Sequence, residues 1–365
     1  MKKLSKEQYD QLQIELDNLR QQHLDQLGQK DADYIRRIIL IQRIAEITAR
    51  IFLVLGFLHF AFWILGVLLL ALAKIIDNME IGHNVLHGQY DWMNDPEINS
   101  RNYEWDIACD SASWKRTHNF EHHTYTNIIG KDRDFGYGLL RLSDDVSWRK
   151  KNLWQFLTYL NLSLFFEWGI AYHEMAAERV FIGKKKAGRT QQVSDSELKR
   201  KFFGKAFRQI FKDYLFFPLI AGPQFVPVLI GNLLANFIRN LWTSTIIFCG
   251  HFTEEVSTFS QQECENESKG QWYHRQMLGS SNLTGSRWFH ILTGHLSCQI
   301  EHHLFPDIPA RRYVEIAKQV KKIANKYEIP YNSGSFFKQY GTVVKRVLTY
   351  SFPNKTLNSF VNSRD

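Results

Sequence analysis

The chain has 365 residues, enough for one large domain or two ordinary ones, and its 27 Phe, 15 Tyr and 10 Trp make it rich in aromatics, as membrane and interface proteins are. A net charge of +8 suits a basic face against anionic lipid, while the absence of any basic-aromatic module or finger spacing sets nucleic-acid binding aside. The four cysteines, Cys109, Cys249, Cys264 and Cys298, have no C-x-x-C spacing and read as free thiols on the reducing side rather than a disulfide framework.

The mean hydropathy of −0.31 would suit a soluble protein, but the apolar residues are concentrated in a few runs that an average hides. Met1–Arg50 is a charged lead without an isolated apolar core or small-residue cleavage pattern, so no secretory signal is expected. Within it, Leu12, Leu16 and Leu19 stand at helical spacing and predict an amphipathic helix on the protein or membrane surface, or else a frayed soluble helix. Ile51–Ala73 carries no charged side chain. At roughly 1.5 Å per residue it covers about 34 Å, enough for one span. Gly56 and His59 leave a second reading open, a tight hairpin with a first leg in Ile38–Phe57 and a second running on through His83.

The helical pattern continues through Lys74–His87, where Asp77, Asn78 and Glu80 precede His83 and His87. Polar groups there imply a helix leaving the bilayer, with carboxylates placed to fix imidazole tautomers. After the polar, Trp-rich Gln89–Asp106, the stretch T-H-N-F-E-H-H-T-Y-T-N places His118, His122 and His123 at i, i+4 and i+5. On a helix the first two share a face.

Asn152–Met175 is apolar enough for a span, but Glu167, Trp168 and His173 interrupt it. Leu215–Gly231 and Asn232–Phe252 read as a hairpin broken by Pro218, Pro223, Pro227 and Gly231. A hairpin returns the chain to the side it left. A further span at 152–175 would then part the second histidine cluster from the third, so this segment is read as interfacial or buried beside the site. Between these segments lie Lys184, Lys185, Lys186, Arg189, Lys199, Arg200, Lys201, Lys205, Arg208 and Lys212, which the positive-inside rule makes cytoplasmic together with the histidine clusters. After P-D-I-P, residues 310–328 read as an amphipathic helix.

His302 and His303 close a third cluster, Q-I-E-H-H. Neutral imidazole is the commonest nitrogen ligand for iron, copper and zinc, so three clusters imply metal. His251, at the polar end of the last apolar segment, and His295, seven residues before His302 and able to share a helical face with it, bring the set to eight or nine. That suits two ions with four or five ligands each. Gly250 would let the helix end approach the metal, and Gln299 is a candidate ligand or outer partner through its amide. His23, His59, His173, His274 and His290 lie outside the clusters and read as ordinary histidines. Zinc hydrolases carry fewer histidines and a nearby catalytic carboxylate, so an all-histidine pair points to dioxygen activation by iron on an alkyl chain entering from lipid.

H-N-V-L-H (83–87), H-N-F-E-H-H (118–123) and Q-I-E-H-H-L-F-P (299–306) resemble the three histidine boxes of the membrane fatty acid desaturases, in a similarity covering about residues 74–136 and 240–310. The resemblance implies an all-α polytopic membrane protein with four transmembrane helices and a cytoplasmic helical cap holding a non-haem di-iron centre. It implies an enzyme of the inner membrane whose active site faces the cytoplasm, organised as an amphipathic lead (1–46), a desaturase domain (47–310) and a C-terminal helix and tail (311–365). The implied reaction removes two hydrogens from a fatty acyl chain, as acyl-CoA or acyl-lipid, using O₂ and two electrons. Gln299 stands where many members have His, so the position of the double bond is not legible. No H-P-G-G haem-binding motif occurs, so the electrons are expected from a separate protein: an NAD(P)H-dependent flavin and iron–sulfur reductase, a ferredoxin or a cytochrome b5. Two alternatives stand beside this reading. A di-iron alkyl hydroxylase shares the first hydrogen abstraction, although the N-Y-x-x-H-Y-G motif of alkane hydroxylases is absent. A non-catalytic membrane scaffold would require lost ligands, and only Gln299 is unusual.

Overall fold

The computed structural model describes residues 4–182 and 193–353. The described chain is mostly helical; its strands are Asn282–Thr284 and Ser333–Ser335, paired in parallel with Asn282 opposite Ser333. It forms two compact units: Met1–Asp31, His118–Asn161 and Thr245–Asp365 make one, Ala32–Thr117 and Leu162–Ser244 the other.

The second unit contains most of two long helical hairpins. Gln29–Leu55 and Phe60–Ile75 are the legs of the first, and the latter runs on as a π-helix, Ile76–His83, and a last turn, Asn84–Leu86. His59 starts the second leg, its Nδ1 accepting from Ala61 N at 3.1 Å. Ile51–Ala73 is therefore not one span but parts of two legs and their turn. Gly66 explains why the legs can close: a Cβ there would stand 2.7 Å from Leu53 N. Leu40, Ile44, Ile47 and Ile51 leave an exposed apolar stripe on the first leg, a face that suits lipid better than water.

The second hairpin starts earlier than its apolar residues suggest. Asp195–Ile210, Phe211–Phe216 and Phe217–Ile220 follow one another as a helical run, and Phe225–His251 returns after a turn at Gly222–Gln224. Among the described residues two helices, Phe60–Leu86 and Gly222–His251, are long and apolar enough to cross a membrane. Charges among these legs are matched internally: Asp213 accepts from Lys74 Nζ at 2.7 Å and from Arg50 at 3.1 Å, and Arg239 pairs with Glu167. Each would be costly alone at that depth.

Asn152–Met175 breaks at Phe165 into Gln155–Leu164 and Phe166–Glu174, of 10 and 9 residues. A span needs about 20. Asn240 holds the break, donating to Leu164 O at 2.9 Å and accepting from Glu167 N at 3.3 Å. Of the basic loop, Lys184, Lys185, Lys186 and Arg189 lie outside the described residues, while Lys205 and Lys212 pair with Glu104 and Asp106.

In the first unit the N-terminal helix Lys6–Asp25 begins with a capping box between Ser5 and Gln8. It buries Leu12, Leu16 and Leu19 in the core that Lys269–Leu278 and Tyr313–Lys326 also build. Its apolar stripe is thus covered by protein, and the helix is neither frayed nor laid on lipid by that face. Gly270 lets it dock, since a Cβ there would lie 2.2 Å from Tyr9 O. Gly270→Val is expected to destabilise the protein by roughly 1–3 kcal/mol, the usual cost of overpacking. Thermal melting and protease cleavage within residues 6–25 would register it, and an unchanged melting curve would show that the contact relaxes freely.

Candidate metal centre

The second box is helical throughout but not uniformly α. Asp110 caps Ser111–Trp114, the helix widens into π geometry over Lys115–His122, and His123–Tyr125 completes it. Such π segments often mark functional sites. The third box is the short helix Gln299–Leu304, and His251 is the last residue of Phe225–His251.

Within the first unit these elements bring six of the expected histidines together. His251 Nε2 lies 3.4 Å from His122 Nε2 and 3.1 Å from His303 Nε2. His123 stacks on His303 at 4.4 Å between ring centroids and meets His302 at 4.8 Å, while His118 lies 5.0 Å from His122. Three ring nitrogens so close cannot all satisfy one another, because a neutral imidazole offers one donor and one acceptor. Two nitrogens on one ion, each about 2.1 Å from it, are about 3.0–3.4 Å apart. The donor set therefore fits a metal ion at His122, His251 and His303. Gln299 Nε2 reaches His251 Nε2 at 2.9 Å, and its buried Oε1 has no hydrogen-bond partner.

Several of the other ring nitrogens are held from outside. His122 Nδ1 donates to Asp132 at 3.0 Å, His118 Nδ1 to Asp134 at 3.1 Å, and His303 Nδ1 to Gln276 Oε1 at 3.0 Å. Tyr313 Oη stands 3.5 Å from His302 Nδ1. Each such bond fixes the tautomer that leaves Nε2 with its lone pair. Burial pushes His118 and, with the neighbouring histidines, His303 below the ordinary histidine range, toward the neutral form a metal requires. Burial also lowers His122, but the Asp132 carboxylate outweighs it and the net shift is upward. In the third box, burial raises Glu301 to about 7 against hydrogen bonds from Asn282 and Tyr331.

In the second unit His83 and His87 lie together, 4.6 Å between centroids, each edge-on to Trp114. Of the carboxylates before them, Glu80 accepts from Tyr34 Oη at 2.6 Å and Asp77 from Asp106 N at 3.3 Å. His295 does not share a helical face with His302. It has left-handed geometry (φ 56°), which breaks the helix, and its ring stacks on His290 at 6.3 Å. Gly250 has another reason than metal approach, because a Cβ there would meet Gln299 Cδ at 2.9 Å.

Several supporting residues escaped the sequence reading. Asp132 and Asp134 sit in the turn-rich loop after the second box, where D-R-D was visible but its fold was not. Gln276 also donates to His123 O at 2.9 Å, and Arg275 to Thr124 O at 2.8 Å and Thr126 O at 3.0 Å. Nothing in Lys269–Leu278 signalled that it braces the second box.

Comparison with known proteins places this geometry. The sequence profile described as "Fatty acid desaturase" matches residues 39–335. The chain is 43% identical over 352 residues, 95% of its own length and 81% of the relative's, to the NADPH-dependent stearoyl-CoA 9-desaturase of Mycobacterium tuberculosis. It is 22% identical over 315 residues, 84% of each chain, to the sn-1 linoleoyl-lipid 6-desaturase of Synechocystis. An acyl-lipid (8-3)-desaturase of Mortierella alpina is 26% identical over 228 residues, 60% of this chain and 49% of that one. With three histidine clusters built into a helical frame and a family match over most of its length, the chain belongs to the fatty acid desaturase family.

Proposed function

We propose that this fatty acyl desaturase acts on a saturated long-chain acyl-CoA at C9 and draws its electrons from NADPH through a separate reductase. The similarity to the mycobacterial stearoyl-CoA 9-desaturase supports the substrate class, position and electron source. The balance is one CH₂–CH₂ unit, one O₂, two electrons and two protons in, one alkene and two waters out.

The observation that carries the metal assignment is the convergence of His122, His251 and His303. We assign two irons to His83, His87, His118, His122, His123, His251, His302 and His303, and give the orphaned Gln299 oxygen to the ion that His251 serves. Bound there, iron supplies the oxidising power from O₂ that an unactivated C–H bond needs. The chain's own residues do the rest. Asp132, Asp134 and Gln276 hold the outer imidazole protons at Nδ1 and aim each Nε2 inward. Burial of His122, His123, His251, His302 and His303 keeps bulk water from those nitrogens. We place the enzyme in the inner membrane with the site toward the cytoplasm, the charged legs Gln29–Leu55 and 195–220 completing four spans. The exposed stripe Leu40, Ile44, Ile47 and Ile51 supports that for the first.

Cells expressing the chain should gain monounsaturated acids with the double bond at C9, read by mass spectrometry of their lipids. Purified protein should carry about two irons per chain. Hydroxy acids in place of alkenes, or stoichiometric zinc after growth in iron-replete medium, would overturn the reading.

A further inference from the structure

Resting on the separate electron donor just proposed, we infer that the outer face of the helix Tyr313–Lys326 is the docking surface for that donor, a redox protein presenting acidic side chains. The helix has two unlike faces. Tyr313, Ile316, Val320 and Ala324 are buried in the core of the first unit, and Lys318, Lys321 and Lys322 are exposed. Spacings of three and four residues put these lysines on one side. None of the three enters an ion pair among the described residues; Lys321 lies 5.9 Å from the Tyr331 ring. The helix has a single acidic residue, Glu315, and its fourth lysine, Lys326, is tied to Glu15 at 2.5 Å.

Several other basic residues of this unit are already neutralised. Arg20 pairs with Asp307, Arg275 with Glu267, Arg311 and Arg312 with Asp31, and Lys345 with Glu254. The lysine face is also free of exposed apolar side chains, which argues against insertion into a bilayer. Charge without apolar anchors suits a transient, electrostatically steered encounter, as between redox partners.

Position adds the second argument. At the inner end of this helix Tyr313 Oη donates to Phe305 O at 3.0 Å and lies 3.5 Å from His302 Nδ1. A partner seated on the lysines is thus one helix away from a histidine of the third box. Per turnover two electrons arrive from the donor, both from one reduced flavin or one each from two reduced [2Fe–2S] clusters, and the donor is oxidised. O₂ takes these, two solvent protons and two hydrogens of the acyl chain to become two waters.

The test uses the full-length protein in lipid nanodiscs with a [2Fe–2S] ferredoxin reduced by NADPH through its flavoprotein reductase. In the K318E/K321E/K322E variant the KM for ferredoxin should rise more than tenfold at low salt, with kcat at saturating ferredoxin kept and the salt dependence flattened. Alkene yield after anaerobic reduction with dithionite and mixing with O₂ should be unchanged. A K150E/K151E variant, which reverses exposed lysines elsewhere in the same unit, should match wild type in every readout. An unchanged KM for ferredoxin, the loss appearing in K150E/K151E instead, or a raised KM for acyl-CoA alone would each overturn the assignment, the last giving the lysines to the CoA phosphates. Wild-type protein forming no alkene even with dithionite would sink the desaturase reading itself, and the docking assignment with it.

Discussion

His251→Ala is expected to lose iron and activity together while the protein still inserts and purifies normally. His251 Nε2 is the nitrogen common to the close pairs, 3.4 Å from that of His122 and 3.1 Å from that of His303. Without it, two imidazoles remain at that position, and Gln299 loses the ring its amide faces at 2.9 Å. The loss in affinity should exceed the roughly 10–100-fold that follows removal of an outer partner of a ligand. The fold should survive, because a truncated helix-terminal side chain removes little of the apolar contact on which the helix rests. His290→Ala is the control: His290 is half-buried and hydrogen-bonded to Ser297 Oγ at 2.7 Å, and its loss should leave iron and turnover intact. Metal analysis and alkene formation on the two variants decide the matter. Full iron and full turnover in His251→Ala would remove this residue from the centre.

The parts of the site legible in the sequence are those carried by residue type and local spacing. The three boxes stood out because histidine is scarce and clustered, and His251 because an ionisable group at the end of an apolar run needs a reason. Other features depended on backbone geometry that spacing does not encode. The spacing puts His295 on a helical face with His302, but His295 is itself left-handed and its ring turns to His290. The π-helical turns under the first two boxes leave no plain mark in residue order. The first hairpin hinged on Gly66, whose meaning appears only once Leu53 is known to cross it. The second hairpin's charged leg hid its helix, because Asp213 and Lys212 lower its mean hydropathy while their partners Lys74, Arg50 and Asp106 lie far off in sequence. Gln276 and Arg275 were illegible for the same reason: they act on carbonyls about 150 residues away.

Asp132→Asn should weaken iron binding by about 10–100-fold, the range for losing an outer partner, although the change is nearly isosteric. Every contact the carboxylate makes is as an acceptor. Oδ1 takes His122 Nδ1 at 3.0 Å and Asp134 N at 2.9 Å, and Oδ2 takes Asn127 N at 2.8 Å. An amide has one oxygen and one NH₂ group. If the oxygen stays with His122, the NH₂ faces the backbone N–H of Asn127, and a buried donor is left unsatisfied at about 1–3 kcal/mol. If the amide turns over, its NH₂ donates to His122 Nδ1, the ring proton moves to Nε2, and the nitrogen aimed at His251 loses its lone pair. Either outcome disturbs the ion held by His122, His251 and His303. Asp134→Asn should be milder, because His118 can still donate to the amide oxygen. Iron titration of the two variants, with melting temperature as the check on the loop, separates these effects. If Asp132→Asn bound iron as tightly as the wild type, the carboxylate would be only a brace for the loop and not the group that sets the tautomer of His122.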